Sequence, residues 1–167
     1  MDVFIEKIVA RKKNASDVLI SILAVIGVFV LTFTALNIPL LNSLGLFIFV
    51  GLCYAAYRVI SGRNIEYEYI VTNGDLDIDR IVSRRSRKRI FSANCKDFDI
   101  VAKVKSSHFT PQIEQIKHRI EAVSSLDEED VYFITLNYKG DKTVVFFQPN
   151  EKMLNNFKTF IPRKIMG

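Results

Sequence analysis

Apolar side chains fill one long stretch near the start of the chain. Residues 18–57 contain no charged side chain, and this stretch is 40 residues long. A helix needs about 20 apolar residues to cross the hydrocarbon core of a bilayer, so the stretch has the length of two spans. The turn signal Asn37-Ile38-Pro39 lies near its middle. The pattern predicts a transmembrane helical hairpin, with spans near residues 18–36 and 40–57.

A shorter amphipathic pattern precedes this stretch. Phe4, Ile5, Ile8 and Val9 recur at helical spacing within residues 1–13. We therefore expect residues 1–17 to form a cytoplasmic amphipathic segment. Its apolar face would lie either in the membrane interface or on the folded domain.

After residue 64 the pattern changes to the alternation of β-strands. Residues 65–72 alternate, with the apolar side chains on one face, and Asn73-Gly74 follows as a hairpin signal. Residues 113–123 have helical spacing and predict a helix. Asn150 is a candidate cap for a C-terminal amphipathic helix. Further strands are expected at residues 75–82, 90–91, 98–101, 131–138 and 143–148.

Cations flank the apolar stretch on both sides and are absent from its central turn. Residues 7–13 hold four of them, and Arg58 and Arg63 follow the stretch. The bias of Lys and Arg toward the cytoplasm places both flanks on that side. We expect a multi-pass protein of the cell (inner) membrane with both termini cytoplasmic. Its parts would be the segment at residues 1–17, the hairpin at 18–60 and a cytoplasmic domain at 64–167.

Two segments of the soluble part resemble bacterial PH-like domains. Residues 67–78 resemble their opening hairpin, and residues 145–153 resemble their last strand and the start of the capping helix. The whole chain also resembles an uncharacterised family of small two-span membrane proteins from Gram-positive bacteria. The resemblance implies an α+β membrane protein: a transmembrane hairpin, then an antiparallel PH-like β-barrel or sheet with a C-terminal capping helix. It implies no activity. Residues 106–130 are a long insertion for a minimal barrel of this kind.

A basic cluster and a pair of small residues are the candidate interaction sites. The cluster is either a solvated hairpin turn or a contact for anionic lipid, and it consists of Arg84, Arg85, Arg87, Lys88 and Arg89. Gly51 and Ala55 have the four-residue spacing that permits close helix packing. Their partner would be the other helix of the hairpin or a second copy of the chain.

Three aspartates at alternate positions imitate the start of a calcium-binding loop. Asp75, Asp77 and Asp79 have that spacing, but Arg80 stands where such a loop needs glycine. We therefore interpret them as the solvent face of a strand, paired with Arg87 or Arg89 across a hairpin.

The remaining chemistry of the chain is sparse. The formal charge of +5 is too small to indicate a nucleic-acid partner. Cys53 and Cys95 are expected to be free and buried. No catalytic or phosphate-binding motif occurs, so we expect no enzyme, no cofactor, no bound metal and no small-molecule substrate. The sequence indicates a membrane-anchored cytoplasmic binding or scaffold module. The alternatives are a module that binds an anionic lipid surface, or an accessory subunit bound to another membrane protein or to itself.

Overall fold

The computed structural model describes residues 3–166 and divides the chain into two compact units. The sheet unit contains the described residues up to Arg11 and those from Glu66 onward. The helical unit contains residues 12–65. The helical unit is therefore an insertion between two parts of the sheet unit.

The helical unit consists of two long helices and a short one between them. Helix α1 is Ala15–Leu36, α2 is Pro39–Asn42 and α3 is Gly45–Ser61. By length and composition α1 is able to cross a membrane, and α3 is an apolar helix of 17 residues. The second apolar helix was expected near residues 40–57. It begins and ends later, because residues 39–42 form α2.

Two contacts show that α1 and α3 pack antiparallel. Asp17 near the start of α1 lies 3.7 Å from Arg63, just beyond the end of α3. At the other end Gly45 is buried, and a methyl group added there would lie 2.5 Å from the Leu36 Cδ2 atom. Gly45 therefore provides the close approach between these helices.

Of the two partners considered for Gly51 and Ala55, helix α1 is not the one observed. Both residues lie on the exposed side of α3, and a methyl group added to Gly51 would meet open space. Packing of this side on a second copy stays a prediction.

The first sheet has the strand order β1-β2-β3-β4. Its strands are β1 Phe4–Ala10, β2 Ile65–Thr72, β3 Asp75–Val82 and β4 Ser86–Asn94. The predicted hairpin signal at Asn73-Gly74 does connect β2 and β3, with φ of 50° and 91°. Glycine suits such a left-handed turn position because it has no Cβ atom.

The helical prediction for the N-terminal segment is wrong. The segment forms β1, which pairs antiparallel with β2. Ile5 and Val9 share the sheet face of buried Val71 and half-buried Lys7, and the alternation of β1 is visible in its burial. Of the two alternatives, docking on the folded domain is therefore the observed one. Residues 1 and 2 lie outside the described residues.

The second sheet has the order β5-β7-β8-β6. Its strands are β5 Ile100–Lys103, β6 His118–Glu121, β7 Tyr132–Tyr138 and β8 Asp141–Phe147. The helix predicted at residues 113–123 is wrong. Only the short helix α4, Pro111–Glu114, forms, and β6 then pairs parallel with β8.

Aromatic side chains of both sheets and of the C-terminal helix α5, Glu151–Phe160, form the core. Tyr69 lies edge-on to Phe147 with ring centroids 6.1 Å apart, and Phe98 contacts Phe157 of α5 at 5.9 Å. The predicted cap is confirmed, because the Asn150 side chain accepts a hydrogen bond from the backbone N–H of Met153 at 2.9 Å.

One buried hydroxyl links the first sheet to the second. The Tyr69 hydroxyl donates to the carbonyl of Ala122 and accepts from the backbone N–H of Gln148 at 3.3 Å. Burial raises the pKa of Tyr69, so the hydroxyl stays protonated and keeps its donor.

The insertion at residues 106–130 has a packing role. It covers the face of the second sheet that points away from the core. Phe109 packs edge-on against Phe133, with ring centroids 5.2 Å apart, and Leu126 joins the same cluster. The extra segment therefore adds a second apolar layer to the second sheet.

Candidate functional site

The basic cluster lies on the turn between β3 and β4. The backbone N–H of Arg85 donates to the carbonyl of Val82 at 3.1 Å and closes the turn. Ser83 and Arg84 both have φ of 55°. Glycine and asparagine adopt this left-handed conformation most readily. Arg84 thus occupies a backbone position that glycine or asparagine would adopt with less strain.

A concavity of about 470 Å³ lies beside this turn. It lies entirely within the sheet unit and is lined by residues 84–87 together with Ile8, Glu66 and Ile81. Ile8 is half exposed and Ile81 is buried. The site therefore combines an apolar floor with a basic rim.

Ion pairs extend from the turn across one face of the first sheet. Arg84 Nε lies 3.2 Å from Glu66 Oε1, and Arg87 Nη2 lies 2.8 Å from Glu68 Oε1. Arg89 contacts two carboxylates, Asp79 at 2.8 Å and Asp77 at 2.7 Å. We call the three pairs made by Arg87 and Arg89 the ion ladder. The predicted pairing of Asp77 and Asp79 with Arg89 is confirmed, whereas Arg87 pairs with Glu68 instead.

Glu68 is the most buried carboxylate of the ion ladder. Its side chain is 3% exposed, and its Oε2 atom is buried without a hydrogen-bond partner among the described residues. Burial raises the pKa of Glu68, the Glu6 carboxyl raises it further, and the Arg87 charge opposes both. Arg87 thus compensates a carboxylate that is otherwise poorly solvated.

The five predicted lipid-contact cations fall into two groups. Arg87 and Arg89 are fixed in the ion ladder, and the hydrogen bond to Asp79 raises the pKa of Arg89. Arg84, Arg85 and Lys88 are exposed at the tip of the hairpin. The side chain of Arg84 is 86% exposed even though it pairs with Glu66.

The acidic partners in β2 were missed by sequence reasoning. Glu66 and Glu68 alternate with Tyr67 and Tyr69, so their outward direction was readable from the strand pattern. Their pairing with β4 was not readable. Arg87 and Glu68 lie two strands apart in the sheet, because β3 separates β2 from β4.

The structure contains no arrangement that holds a metal among residues 3–166. No three His, Cys, Asp or Glu side chains in that range converge as ligands. Both cysteines are free, as expected, but only Cys95 is buried and Cys53 is exposed. Burial raises the pKa of Cys95, so it is an unreactive packing residue.

The family model described as "Bacterial PH-like domain (DUF6106)" matches residues 1–167. The chain belongs to this family. The PH-like fold predicted from residues 67–78 and 145–153 is therefore confirmed. No curated protein and no solved structure matches the chain significantly. This family of bacterial PH-like domains supports a binding or scaffold module and assigns no catalytic role.

Proposed function

We propose that this PH-like protein is a membrane-anchored binding module, in which the helical unit is the anchor and the sheet unit carries the binding surface. The exposure of the helical unit carries the proposal. Its largest apolar side chains face outward, with Phe33 71% exposed and Phe47 75% exposed. Apolar surface on this scale is stable in lipid and would associate in water.

The lengths of the two helices are compatible with a bilayer. At about 1.5 Å per residue, α1 is about 33 Å long and α3 about 26 Å long. The hydrocarbon core is about 30 Å thick, and spans of about 17 residues lie at the short end of the observed range. We propose that both helices span the membrane and that α2 lies in the turn between them.

The strand pairing supports placing both ends of the anchor on one side of the membrane. β1 precedes the helical unit and β2 follows it, and Ala10 pairs with Glu66 in one sheet. Two strands that pair in one sheet must lie on the same side of a bilayer. Because β1 and β2 flank the helical unit, the chain between them must cross the membrane an even number of times. The cations before α1 and after α3 make that side the cytoplasm.

The binding surface belongs to the sheet unit, because the anchor carries no charged side chain between residues 18 and 57. β1 lies at the edge of the first sheet with Phe4 and Ile8 exposed. An exposed strand edge of this kind accepts an extended peptide by adding a strand. Fixation at the membrane would raise the effective concentration of the module for a membrane-bound partner.

A second candidate function is that of an accessory subunit. Gly51 and Ala55 lie on the exposed side of α3, where a small surface permits close approach of a helix from another membrane protein.

Membrane fractionation tests the anchoring. The full chain should stay in the membrane pellet after washing with alkaline carbonate and should be released only by detergent. A triple variant with Ile22, Ile26 and Val30 of α1 replaced by lysine should move largely to the soluble or aggregated fraction. Each such lysine costs about 2.5–3.5 kcal/mol near the centre of a helix in the membrane.

A matched control adds the same charge to the sheet unit. Three exposed polar residues of the sheet unit serve for this control: Gln112, Gln115 and Asn155. Replacing all three by lysine should leave the protein in the pellet. Release of the unmodified chain by carbonate would refute the anchoring.

A further inference from the structure

The basic turn lies at the end of the first sheet where the chain leaves for the helical unit. β1 ends at Ala10 and β2 begins at Ile65, while β3 ends at Val82 and β4 begins at Ser86. The antiparallel order places these four strand ends together. The opposite end of the sheet carries Asn73, Gly74 and Asp75 instead.

The connections to the anchor are short. Four residues join Ala10 to α1, and three join α3 to Ile65. A connection of this length spans at most about 18 Å. The turn lies within one to three strand spacings of these connections, about 5–14 Å across the sheet. If the helices are in the bilayer, as proposed above, the chain cannot carry this turn far from the membrane surface.

Two cations face each other directly beside the turn. Arg80 of β3 and Lys88 of β4 are register partners, and both are exposed. Like charges at directly opposed positions destabilise a sheet. An anion bound between them would remove this repulsion. Arg84 is a second costly cation, because its left-handed backbone would be less strained with glycine at this position.

We propose that this end of the hairpin binds the anionic phospholipid headgroups of the membrane that holds the anchor. The binding residues, which we call the tip cluster, are Arg80, Arg84, Arg85 and Lys88. The proposal rests on the proposed anchoring and narrows the five predicted lipid contacts. Arg87 and Arg89 position the hairpin through the ion ladder, and the tip cluster contacts the phosphates.

The test measures how closely the turn approaches lipid headgroups in the full chain. Ser86, exposed at the start of β4, is replaced by cysteine and labelled with a fluorophore in a Cys53→Ala background, where the remaining Cys95 is buried. The protein is reconstituted into bilayers of phosphatidylcholine alone or with about one third phosphatidylglycerol. Both contain a trace of lipid with a quencher on its headgroup.

Quenching should be stronger in the anionic bilayer and should fall at high salt, which screens the attraction. Each cation near an anionic surface shifts the equilibrium about fivefold. Arg85→Gln with Lys88→Gln should therefore lower the ratio of docked to undocked turns about 25-fold, while the ion ladder stays intact. The matched control, Lys105→Gln with Lys152→Gln, removes two exposed charges elsewhere on the sheet unit and should keep the wild-type quenching.

Two results would overturn the proposal. One is equal quenching in both bilayers, which would instead favour an acidic protein as the partner of the tip cluster. The other is an equal loss of quenching in both double variants, which would show a general charge effect. Carbonate extraction of the same samples tests the anchoring separately. A chain that resists extraction but shows no lipid-dependent quenching refutes lipid binding by the tip cluster and leaves the anchoring intact.

Discussion

Replacing Arg87 by glutamine tests whether the ion ladder stabilises the first sheet. Arg87 lies 2.8 Å from a carboxylate of Glu68 that is 3% exposed. Removing one partner of a fully buried pair costs about 3–5 kcal/mol. The Arg87 side chain is 55% exposed, so water can partly replace it. We therefore expect the free energy of unfolding to fall by about 2 kcal/mol.

The assay is urea unfolding of the full chain in detergent micelles. Near-ultraviolet circular dichroism of the tyrosines reports on the packing of buried Tyr69. Lys88→Gln is the matched control, since it removes a neighbouring exposed cation, and its effect should stay within about 0.5 kcal/mol. Adding Glu68→Gln to the Arg87 variant should restore most of the lost stability, because no buried carboxylate then lacks its cation.

The contribution of Glu68 to stability depends on pH. Burial raises the pKa of Glu68 above its usual value of 4.5. A raised pKa means that the protonated form is favoured in the folded state. The stability that this group contributes is therefore complete below the unfolded pKa and is lost as the pH rises through the folded pKa.

Without Arg87, which lowers this pKa, the upward shift grows. The difference between variant and wild type should be largest at neutral pH and should disappear below about pH 4.5. An Arg87 variant as stable as the Lys88 variant, or a deficit that does not change with pH, would refute the structural role of the ladder.

Three further substitutions test other parts of the account. Arg84→Gly should raise the free energy of unfolding by about 0.5–1 kcal/mol in urea titrations, because glycine relieves the left-handed backbone and the lost ion pair is exposed; a decrease would contradict the assigned strain. Gly45→Val should destabilise the helical unit by about 1–3 kcal/mol in dodecyl sulfate unfolding, because Leu36 leaves no room, and Gly51→Val should be tolerated; equal effects would contradict the assigned packing. Tyr69→Phe should cost about 1–2 kcal/mol in urea, because its hydroxyl pairs two backbone groups; an unchanged midpoint would count against that link.

Local sequence signals were sufficient to predict those elements whose structure depends on neighbouring residues. Asn73-Gly74 set the β2–β3 turn, and Asn150 capped α5, since both depend on backbone geometry within a few residues. The PH-like fold followed from the resemblance of the opening hairpin and the last strand to known domains.

The errors arose where distant residues decide the structure. Phe4, Ile5, Ile8 and Val9 fit helical spacing, but the open edge of β2 sixty residues later makes this segment a strand. Residues 118–121 form a strand because they pair with β8. A segment of four residues is too short to show its own period.

The candidate site was predictable only in part. The basic cluster was visible as a run of cations, but its division into ladder and tip depends on Glu68, which lies two strands away from Arg87. The small residue that brings α1 and α3 together is Gly45. The residue four positions later is Phe49, so Gly45 is not part of a small-x-x-x-small pair that the sequence would have shown. Close approach at a helix end depends on the connecting turn, and the length of that turn was not evident from the pattern.

The sidedness of the membrane anchor tests the central proposal most directly. In the Cys53→Ala background, in which the remaining Cys95 is buried, one further cysteine is placed at Ile38 in the turn of the helical unit, at Lys13 before α1, or at Ser107 in the sheet unit. A membrane-impermeant maleimide is then applied to intact cells and to permeabilised cells. We expect labelling of the Ile38 position in intact cells, and labelling of the Lys13 and Ser107 positions only after permeabilisation. Labelling of Ile38 and Ser107 from the same side would contradict the two-span anchor.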